Sequence, residues 1–403
     1  MTTRDFTANV ISASKVVPDS NLQTGKASGV WDLNEVLDLV KGGNWPTFGN
    51  VVTNSDDVFN TTVYTGNNST DVQTFNTGLD MSGEGGLIWF KSRSSTQSAR
   101  IIDTVRGTNQ SLIPSSTNGS GGLGADGLTF LSNGFSIGWT GGDLAAANDY
   151  VAWSFRKAPK FFDVVKYDSS SGNVTNFGSA GATVSHNLGS VPGMIIVKCT
   201  DTGSTNWKVY HRGLNGGTNP EQYEIELNQT GAEANSANSW NDTAPTSTQF
   251  TLGASGDVNN GSRSYVAYLF AHNNNDGEFG SDSDQDIIKC GSFTSDGTDT
   301  ITLGFEPQWL MVKQTDGSAG WFIWDTMRGW QVGDVGNDND PYLYADSTAA
   351  ESDFTVDVGF PTATGFQTEN FGSGDYIYVA IRRGGMQTPT AASDVFAIDT
   401  VQS

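Results

Sequence analysis

The strongest constraint on the fold is a set of three sequence blocks that recurs three times in the same order. The first block is an apolar run that ends in a lysine, at Lys91, Lys198 and Lys313. The second block reads IIDTVRG, VYHRG and IWDTMRG, and the third reads DYVAWSF, SYVAYLF and IYVAIRR. This recurrence predicts three copies of one structural unit. We expect the lysines to be equivalent, and likewise the tyrosines of the third block, Tyr150, Tyr265 and Tyr378.

The repeats divide the chain into five segments. We predict an N-terminal arm over residues 1–60, three repeats over residues 61–162, 163–280 and 281–390, and a C-terminal tail over residues 391–403. A repeat of roughly 110 residues is a common domain size and is longer than a solenoid unit. We therefore expect three self-standing domains, each with a core of its own.

The composition and the apolar runs indicate an all-β fold. Charged residues make up 16% of the chain and 49 residues are glycine, which suits short strands joined by many turns. The runs LIWFK and MIIVK are apolar without interruption, which is typical of strands covered on both faces. We predict three tandem β-sandwich or jelly-roll-like domains, preceded by an extended arm with one short helix.

The arm contains one segment with helical periodicity, GVWDLNEVLDLVKGGNWP. Asp32 is a good N-cap, and Glu35 completes a capping box. The apolar face of this helix and the tryptophan before it comprise Trp31, Leu33, Val36, Leu37 and Val40. So short a helix needs a surface to pack on. We predict that it docks on another protein or on sister subunits, the alternative being that it folds back on the first repeat.

The chain is strongly acidic, with a formal net charge of −23. Such a surface repels the phosphates of nucleic acids and of anionic lipids, so we expect no nucleic-acid binding. The sequence has no apolar run of transmembrane length and no signal-peptide core, so we expect no membrane insertion. Cys199 and Cys290 form no CxxC pair, and we predict two free thiols in a protein made in a cytoplasm.

The sequences DTVRG and DTMRG place an acid, a hydroxyl and a base next to one another. The second repeat has YHRG instead, which keeps Arg212 but loses the acid, and His211 beside it is a weak candidate for a base. Because these residues accompany the repeated apolar blocks, a structural role at a strand end is favoured over catalysis. We predict no enzymatic activity and two structural ion pairs, Asp103–Arg106 and Asp325–Arg328.

No sequence pattern predicts a metal or cofactor site. The three histidines fall in different blocks, without HxxxH or HExxH spacing. Asp282, Asp284 and Asp286 alternate like the start of a calcium loop, but Ile287 stands where that loop needs a glycine. We interpret this acidic run as a solvated linker and predict no cofactor.

The tryptophans fall into two groups. Trp89, Trp153 and Trp309 lie inside the repeated apolar blocks and are predicted to be core residues. A second group lies in polar or turn-rich sequence: Trp139, Trp207, Trp240, Trp321 and Trp330. Exposed tryptophans among polar residues can stack on sugars or form subunit contacts. We predict such contacts for Trp207, Trp321 and Trp330.

The repeated blocks resemble a repeat domain of structural proteins of marine tailed bacteriophages. The resemblance is carried by the order apolar run–Lys, D-x-[VM]-R-G and Y-V-A-W, and by the arm sequence quoted above. The segment HNLGSVPGMIIVK is also similar to strand–turn–strand sequences of phage tail fibres. The resemblance covers most of the chain, although the second repeat departs from it at YHRG and the third at IYVAIRR.

The resemblance implies a virion structural protein, assembled in the host cytoplasm and anchored to other virion proteins by its N-terminal arm. We expect a homo-oligomeric tail fibre or appendage component that contributes to attachment, with a host-surface glycan or protein as its partner. The alternatives are a capsid decoration or knob protein and, in a different class, a tail-associated glycan depolymerase. The resemblance assigns no catalytic residues to this sequence.

Overall fold

The three apolar runs that end in lysine form interior strands of three large antiparallel sheets. The computed structural model describes residues 54–69, 71–122, 127–138, 144, 146–274, 286–331, 340–354 and 358–384. These residues fold almost entirely as β-structure, which confirms the predicted fold class. The predicted docking helix lies outside the described residues, with Trp31, Leu33, Val36, Leu37 and Val40.

The described part of the first repeat contains eight strands in two antiparallel sheets. They are β1 (Phe59–Thr65), β2 (Gln73–Asn76), β3 (Gly86–Ser92), β4 (Arg100–Asp103), β5 (Ser111–Leu112), β6 (Leu128–Leu131), β7 (Gly134–Ile137) and β8 (Asp149–Arg156). The large sheet has the order β1-β8-β3-β4-β5, and the small sheet has the order β2-β7-β6. A 3₁₀ turn over Ser55–Asp57 precedes β1.

The described part of the second repeat contains nine strands. They are β9 (Phe162–Tyr167), β10 (Val174–Thr175), β11 (Ala182–Ser185), β12 (Met194–Cys199), β13 (Lys208–His211), β14 (Tyr223–Glu226), β15 (Ala234–Asn235), β16 (Gln249–Leu252) and β17 (Tyr265–Phe270). The sheets have the orders β15-β14-β13-β12-β17-β9 and β10-β11-β16. Short helical segments span Leu214–Gly217, Pro220–Gln222 and Ala237–Trp240.

The described part of the third repeat also contains nine strands. They are β18 (Ile288–Ser295), β19 (Asp299–Thr302), β20 (Pro307–Gln314), β21 (Phe322–Asp325), β22 (Pro341–Tyr344), β23 (Ser352–Asp353), β24 (Gly359–Thr362), β25 (Gly365–Thr368) and β26 (Gly374–Arg382). The sheets have the orders β18-β26-β20-β21-β22-β23 and β19-β25-β24.

The three large sheets share one strand order. In each, the first strand of the repeat forms an edge and pairs with the last strand, which pairs with the strand that ends in lysine. The strand of the second block follows on the other side of that strand. The lysines stand at the same position opposite the last strand, in the pairs Lys91–Val151, Lys198–Val266 and Lys313–Ile377.

The same register corrects one predicted equivalence. Tyr150 and Tyr265 each precede the residue that pairs with the lysine, and the residue in that place in the third repeat is Tyr376, not Tyr378. These three rings stack on an aromatic ring of the first strand, in the pairs Tyr64–Tyr150, Tyr167–Tyr265 and Phe293–Tyr376. The sequence match was offset by two residues, which is one full period of a strand and leaves both tyrosines on the same face.

One face of the large sheet packs on the small sheet. In the first repeat Ile88, Phe90 and Ile102 pack against Phe135 and Ile137 in one buried cluster. A corresponding cluster joins the two sheets of the third repeat, with Leu303, Leu310, Val312, Trp324 and Phe366. In the second repeat Tyr167 of the large sheet contacts Phe250 of the small sheet, with ring centroids 6.3 Å apart. Each repeat is therefore a two-layer β-sandwich.

The opposite faces of the three large sheets meet in one common core. Trp153 of the first repeat contacts Trp309 of the third, with ring centroids 6.5 Å apart, and Phe155 contacts Phe270 of the second at 5.5 Å. The expectation of three separate cores is therefore wrong. The strands are apolar on both faces, and the small sheet covers only one, so the other face has to be covered by the neighbouring repeats. The described residues accordingly belong to one compact unit.

Candidate functional site

Asp103 ends strand β4 and holds the corner that follows it. Its carboxylate accepts hydrogen bonds from the backbone N–H of Arg106 at 2.9 Å and from Arg106 Nε at 2.6 Å. Arg106 Nη2 donates to the carbonyl of Ile101, which ties the guanidinium to the strand it follows. Gly107 closes the corner at a φ of +94°, a conformation that favours glycine. The residues from Asp103 to Gly107 therefore stabilise one buried turn.

The third repeat builds the same corner with Asp325 and Arg328. The Arg328 backbone N–H and Nε donate to Asp325 at 3.0 and 2.6 Å, and Nη2 donates to the carbonyl of Ile323. Both side chains are fully buried. Gly329 has a φ of +115°, as the corner requires. A buried pair of this geometry is a structural tie, because neither charge is open to solvent or to a substrate.

His211 takes the place of the acid in the second repeat. The pairs Met194–His211, Leu87–Asp103 and Trp309–Asp325 are equivalent in the three registers. His211 Nδ1 accepts from the backbone N–H of Gly213 at 3.0 Å, as the aspartates accept from their arginines. The exposed Arg212 is therefore not the counterpart of Arg106, contrary to the sequence match.

The ring of His211 is buried and neutral. Burial lowers the pKa of His211 to about 3. Since Nδ1 accepts from Gly213, Nε2 carries the proton and donates to the carbonyl oxygen of Tyr378, 3.0 Å away. With both nitrogens engaged inside the core, this histidine is not placed to act as a base.

Each corner is bonded to another repeat, and the three bonds close a ring. Tyr268 of the second repeat donates its hydroxyl to Asp103 of the first at 2.7 Å. His211 of the second repeat donates to Tyr378 of the third. Trp153 of the first repeat donates its indole N–H to Asp325 of the third at 2.9 Å. The repeats are thus related around a centre by an approximate threefold pattern.

The three lysines form a second set of ring contacts. Lys91 Nζ donates to the carbonyl of Thr348 in the third repeat, Lys198 Nζ to Thr117 in the first, and Lys313 Nζ to Thr230 in the second. Desolvation lowers the pKa of all three ammonium groups to about 8. A lysine at the end of an apolar run indicates that its ammonium group needs a buried hydrogen-bond acceptor. The sequence does not show which residue provides that acceptor.

We call the contact between two repeats a seam and name it by the repeats it joins. One backbone hydrogen bond recurs in all three seams: Ser120 N–H to Thr200 O, Glu233 N–H to Thr315 O, and Glu351 N–H to Arg93 O. The bond makes Ser120, Glu233 and Glu351 equivalent, and likewise Thr200, Thr315 and Arg93. The side chains at these positions differ, and so the seams differ in how they are filled.

Close contacts cross two of the three seams. In the third–first seam Arg93 and Glu351 form a bidentate ion pair, with a shortest distance of 2.7 Å. In the second–third seam the turn at Gly213 packs so closely that a Cβ there would lie 2.9 Å from the Cβ of Ser292. Glu233 in the same seam accepts from the backbone N–H of Asn215 at 2.8 Å.

The first–second seam is open. Ser120 and Thr200 stand where the third–first seam has glutamate and arginine, and a groove of about 730 Å³ lies beside them. Its other polar side chains include Gln110, Asn118 and Thr202. Sequence reasoning missed this groove, because serine and threonine give no signal until the register shows what they replace.

The tryptophans predicted to be exposed contacts are buried. Trp207, Trp321 and Trp330 have at most 2% of their surface exposed. Trp207 donates its indole N–H to Ser116 O and Trp321 to Glu226 O, both across a seam at 3.0 Å. The polar sequence around Trp207 and Trp321 reflects turns that another repeat covers, whereas Trp330 donates to Gly359 O within its own repeat. The core prediction for Trp89, Trp153 and Trp309 is confirmed.

The remaining candidates give no metal site. Asp282 and Asp284 lie outside the described residues, and Asp286 is buried next to Lys289, at 3.4 Å. Among the residues that the structure covers, no group of three or more acidic, histidine or cysteine side chains is placed to hold a metal. Cys199 and Cys290 are free and buried, as predicted. Within the same residues, no helix is both long and apolar enough to cross a bilayer.

Comparison with known proteins identifies one family. Residues 54–383 match the model described as Domain of unknown function (DUF7483). No curated protein matches the chain significantly. The matched region contains all three repeats and their seams, so the family model describes the ring and not a single repeat. The chain belongs to the DUF7483 family.

Proposed function

We propose that the chain is a bacteriophage virion structural protein, a tail fibre or appendage component that contributes to host-surface attachment. The observation that carries the proposal is the ring itself. The residues that suggest chemistry in the sequence, Asp103–Arg106 and Asp325–Arg328, are buried ties within it. A body whose three repeats share one core suits a structural role at a particle surface, and the sequence resemblance indicates the class of particle.

We also propose that the N-terminal arm anchors this body to other virion proteins and that the protein forms a homo-oligomer. Because the three seams use the inner faces of the sheets, an oligomer would be built from outer surfaces or from the arm. Immunogold labelling of purified virions, or their imaging at subunit resolution, tests the proposal. We expect the chain on the tail. A chain absent from particles would contradict a virion role.

A capsid decoration protein is the second candidate. The approximate threefold pattern of the repeats favours it, because a body of that shape matches a threefold position on a symmetric shell. The same labelling experiment separates the two, since it places the chain on the tail or on the capsid.

A glycan depolymerase is the competing class. The buried and paired corner residues speak against it, because an acid–base pair for glycoside cleavage needs access to substrate. Release of reducing ends from host polysaccharide by the purified protein would favour the enzyme over the proposal.

A further inference from the structure

We propose that the groove in the first–second seam binds a neutral saccharide; this rests on, and deepens, the proposed role in host attachment. The groove lies beside the backbone bond that the three seams share, at a position where the third–first seam has an ion pair. Small hydroxyl residues, Ser120 and Thr200, replace the Arg93–Glu351 ion pair of the third–first seam. Small side chains in place of a large charged pair leave this part of the first–second seam open.

The size and lining of the groove fit a small polyhydroxylated molecule. Its volume of about 730 Å³ lies in the range of small-ligand sites. Gln110 and Asn118 present amide groups, and Thr202 and Ser264 add hydroxyls. Amides and hydroxyls both donate and accept, which is the pattern that sugar hydroxyls require. Val105 is the one aliphatic side chain among the lining residues, so an apolar ligand is disfavoured.

Two of the three charged residues that line the groove are paired with an opposite charge. Arg106 is paired with Asp103 at 2.6 Å, and Lys166 lies 3.6 Å from Asp168. Asp201 accepts hydrogen bonds from the backbone N–H of Ser264 at 2.8 Å and from the Cys199 thiol. Both donors to Asp201 are neutral groups and do not offset its negative charge, which together with the net charge of −23 repels anionic ligands. The geometry therefore favours a neutral ligand.

A peptide added as an extra strand is disfavoured by the backbone of the groove. Ser111 and Gly121 exchange both of their N–H···O bonds at 2.8 Å, and the Ser120 N–H is bonded to Thr200 O. Recognition by strand addition needs a row of unpaired backbone groups.

The test is saturation-transfer NMR of the whole chain with neutral oligosaccharides of hexoses, N-acetylhexosamines and 6-deoxyhexoses, followed by calorimetry on those that bind. Ser120→Glu with Thr200→Arg copies the ion pair of the third–first seam and should fill the groove. We expect this double variant to lose affinity at least about tenfold. The matched control is Thr175→Glu with Thr183→Arg, which adds the same charges on β10 and β11, at positions that do not line the groove. It should bind as the wild type does.

A second double variant provides a test if the first double variant does not fold. Gln110→Ala with Asn118→Ala removes two exposed amides and should also weaken binding about tenfold without changing the melting temperature. The proposal is overturned if no neutral saccharide binds, if only phosphate, sulfate or acidic saccharides bind, or if the folded groove variants bind like the wild type. Virion labelling tests the virion role independently of the groove. If the chain is found on particles but binds no saccharide, the groove proposal alone is overturned. If the chain binds a saccharide but is absent from particles, the virion role alone is overturned.

Discussion

Trp153 donates its indole N–H to Asp325, 172 residues further along the chain, and so bonds the first repeat to the third inside the common core. We therefore expect Trp153→Ala to destabilise the whole ring, by about 3 to 5 kcal/mol, and not the first repeat alone. Scanning calorimetry should show one transition at a lower temperature. An early transition of one repeat, with the remainder melting as in the wild type, would contradict a shared core.

The buried corner should be sensitive to loss of one charge. Asp103→Asn leaves Arg106 buried without a counter-charge, and we expect a loss of about 3 to 5 kcal/mol in the free energy of unfolding. The control is Glu306→Gln, which breaks a pair with Arg383 on the surface and should cost less than about 1 kcal/mol. Urea titrations measure both. Equal effects of the two substitutions would show that burial of the corner pair does not matter.

The three seam lysines should make stability rise with pH in the alkaline range. Their pKa is about 8 in the folded protein, and the usual value is 10.5. Between these values the unfolded chain binds more protons, so raising the pH through this window favours the folded state. Lys198→Met should show a shallower rise of the urea midpoint than the wild type. The buried thiols and tyrosines titrate in the opposite sense in both proteins, so the difference in slope reports the lysine, and equal slopes would contradict the prediction.

His211 should contribute to unfolding in acid. Its pKa is lowered from 6.5 to about 3, so the unfolded chain binds more protons between these values and stability falls as the pH falls through them. His211→Gln lacks this titration. We expect it to be less stable than the wild type at neutral pH but to lose less on acidification, because the carboxylates common to both proteins cancel in the comparison. Parallel acid profiles, followed by circular dichroism, would argue against a neutral buried ring.

The arm can be removed without cutting the sheet. Phe59 is buried and begins β1, so a deletion that ends before Asn54 leaves the described ring whole. If the arm docks on other virion proteins, the truncated protein should keep its melting temperature but no longer join particles. Early melting or aggregation would instead indicate that the arm covers the first repeat. Normal stability together with normal incorporation would leave the arm without either role.

The strands and their repetition follow from the sequence because apolar runs and turn residues act locally. The residues that cover the second face of each strand cannot be predicted in this way, because they are distant in the chain. Trp207 shows the difference: its polar neighbours suggest exposure, but Ser116 of the first repeat covers its indole N–H. The groove escapes prediction for the same reason, since Ser120 is unremarkable until its place opposite Thr200 is known.

Because all three seams lie within one polypeptide, the three repeats are always present in equal number. In a trimer of identical subunits, a substitution at one interface is copied to all three, and assembly depends on concentration. In this chain Arg93 and Glu351 can keep one seam shut while Ser120 and Thr200 leave another open, because each pair is encoded separately. The groove of the first–second seam therefore needs no matching copy in the other two seams, and dilution cannot separate repeats that belong to one polypeptide.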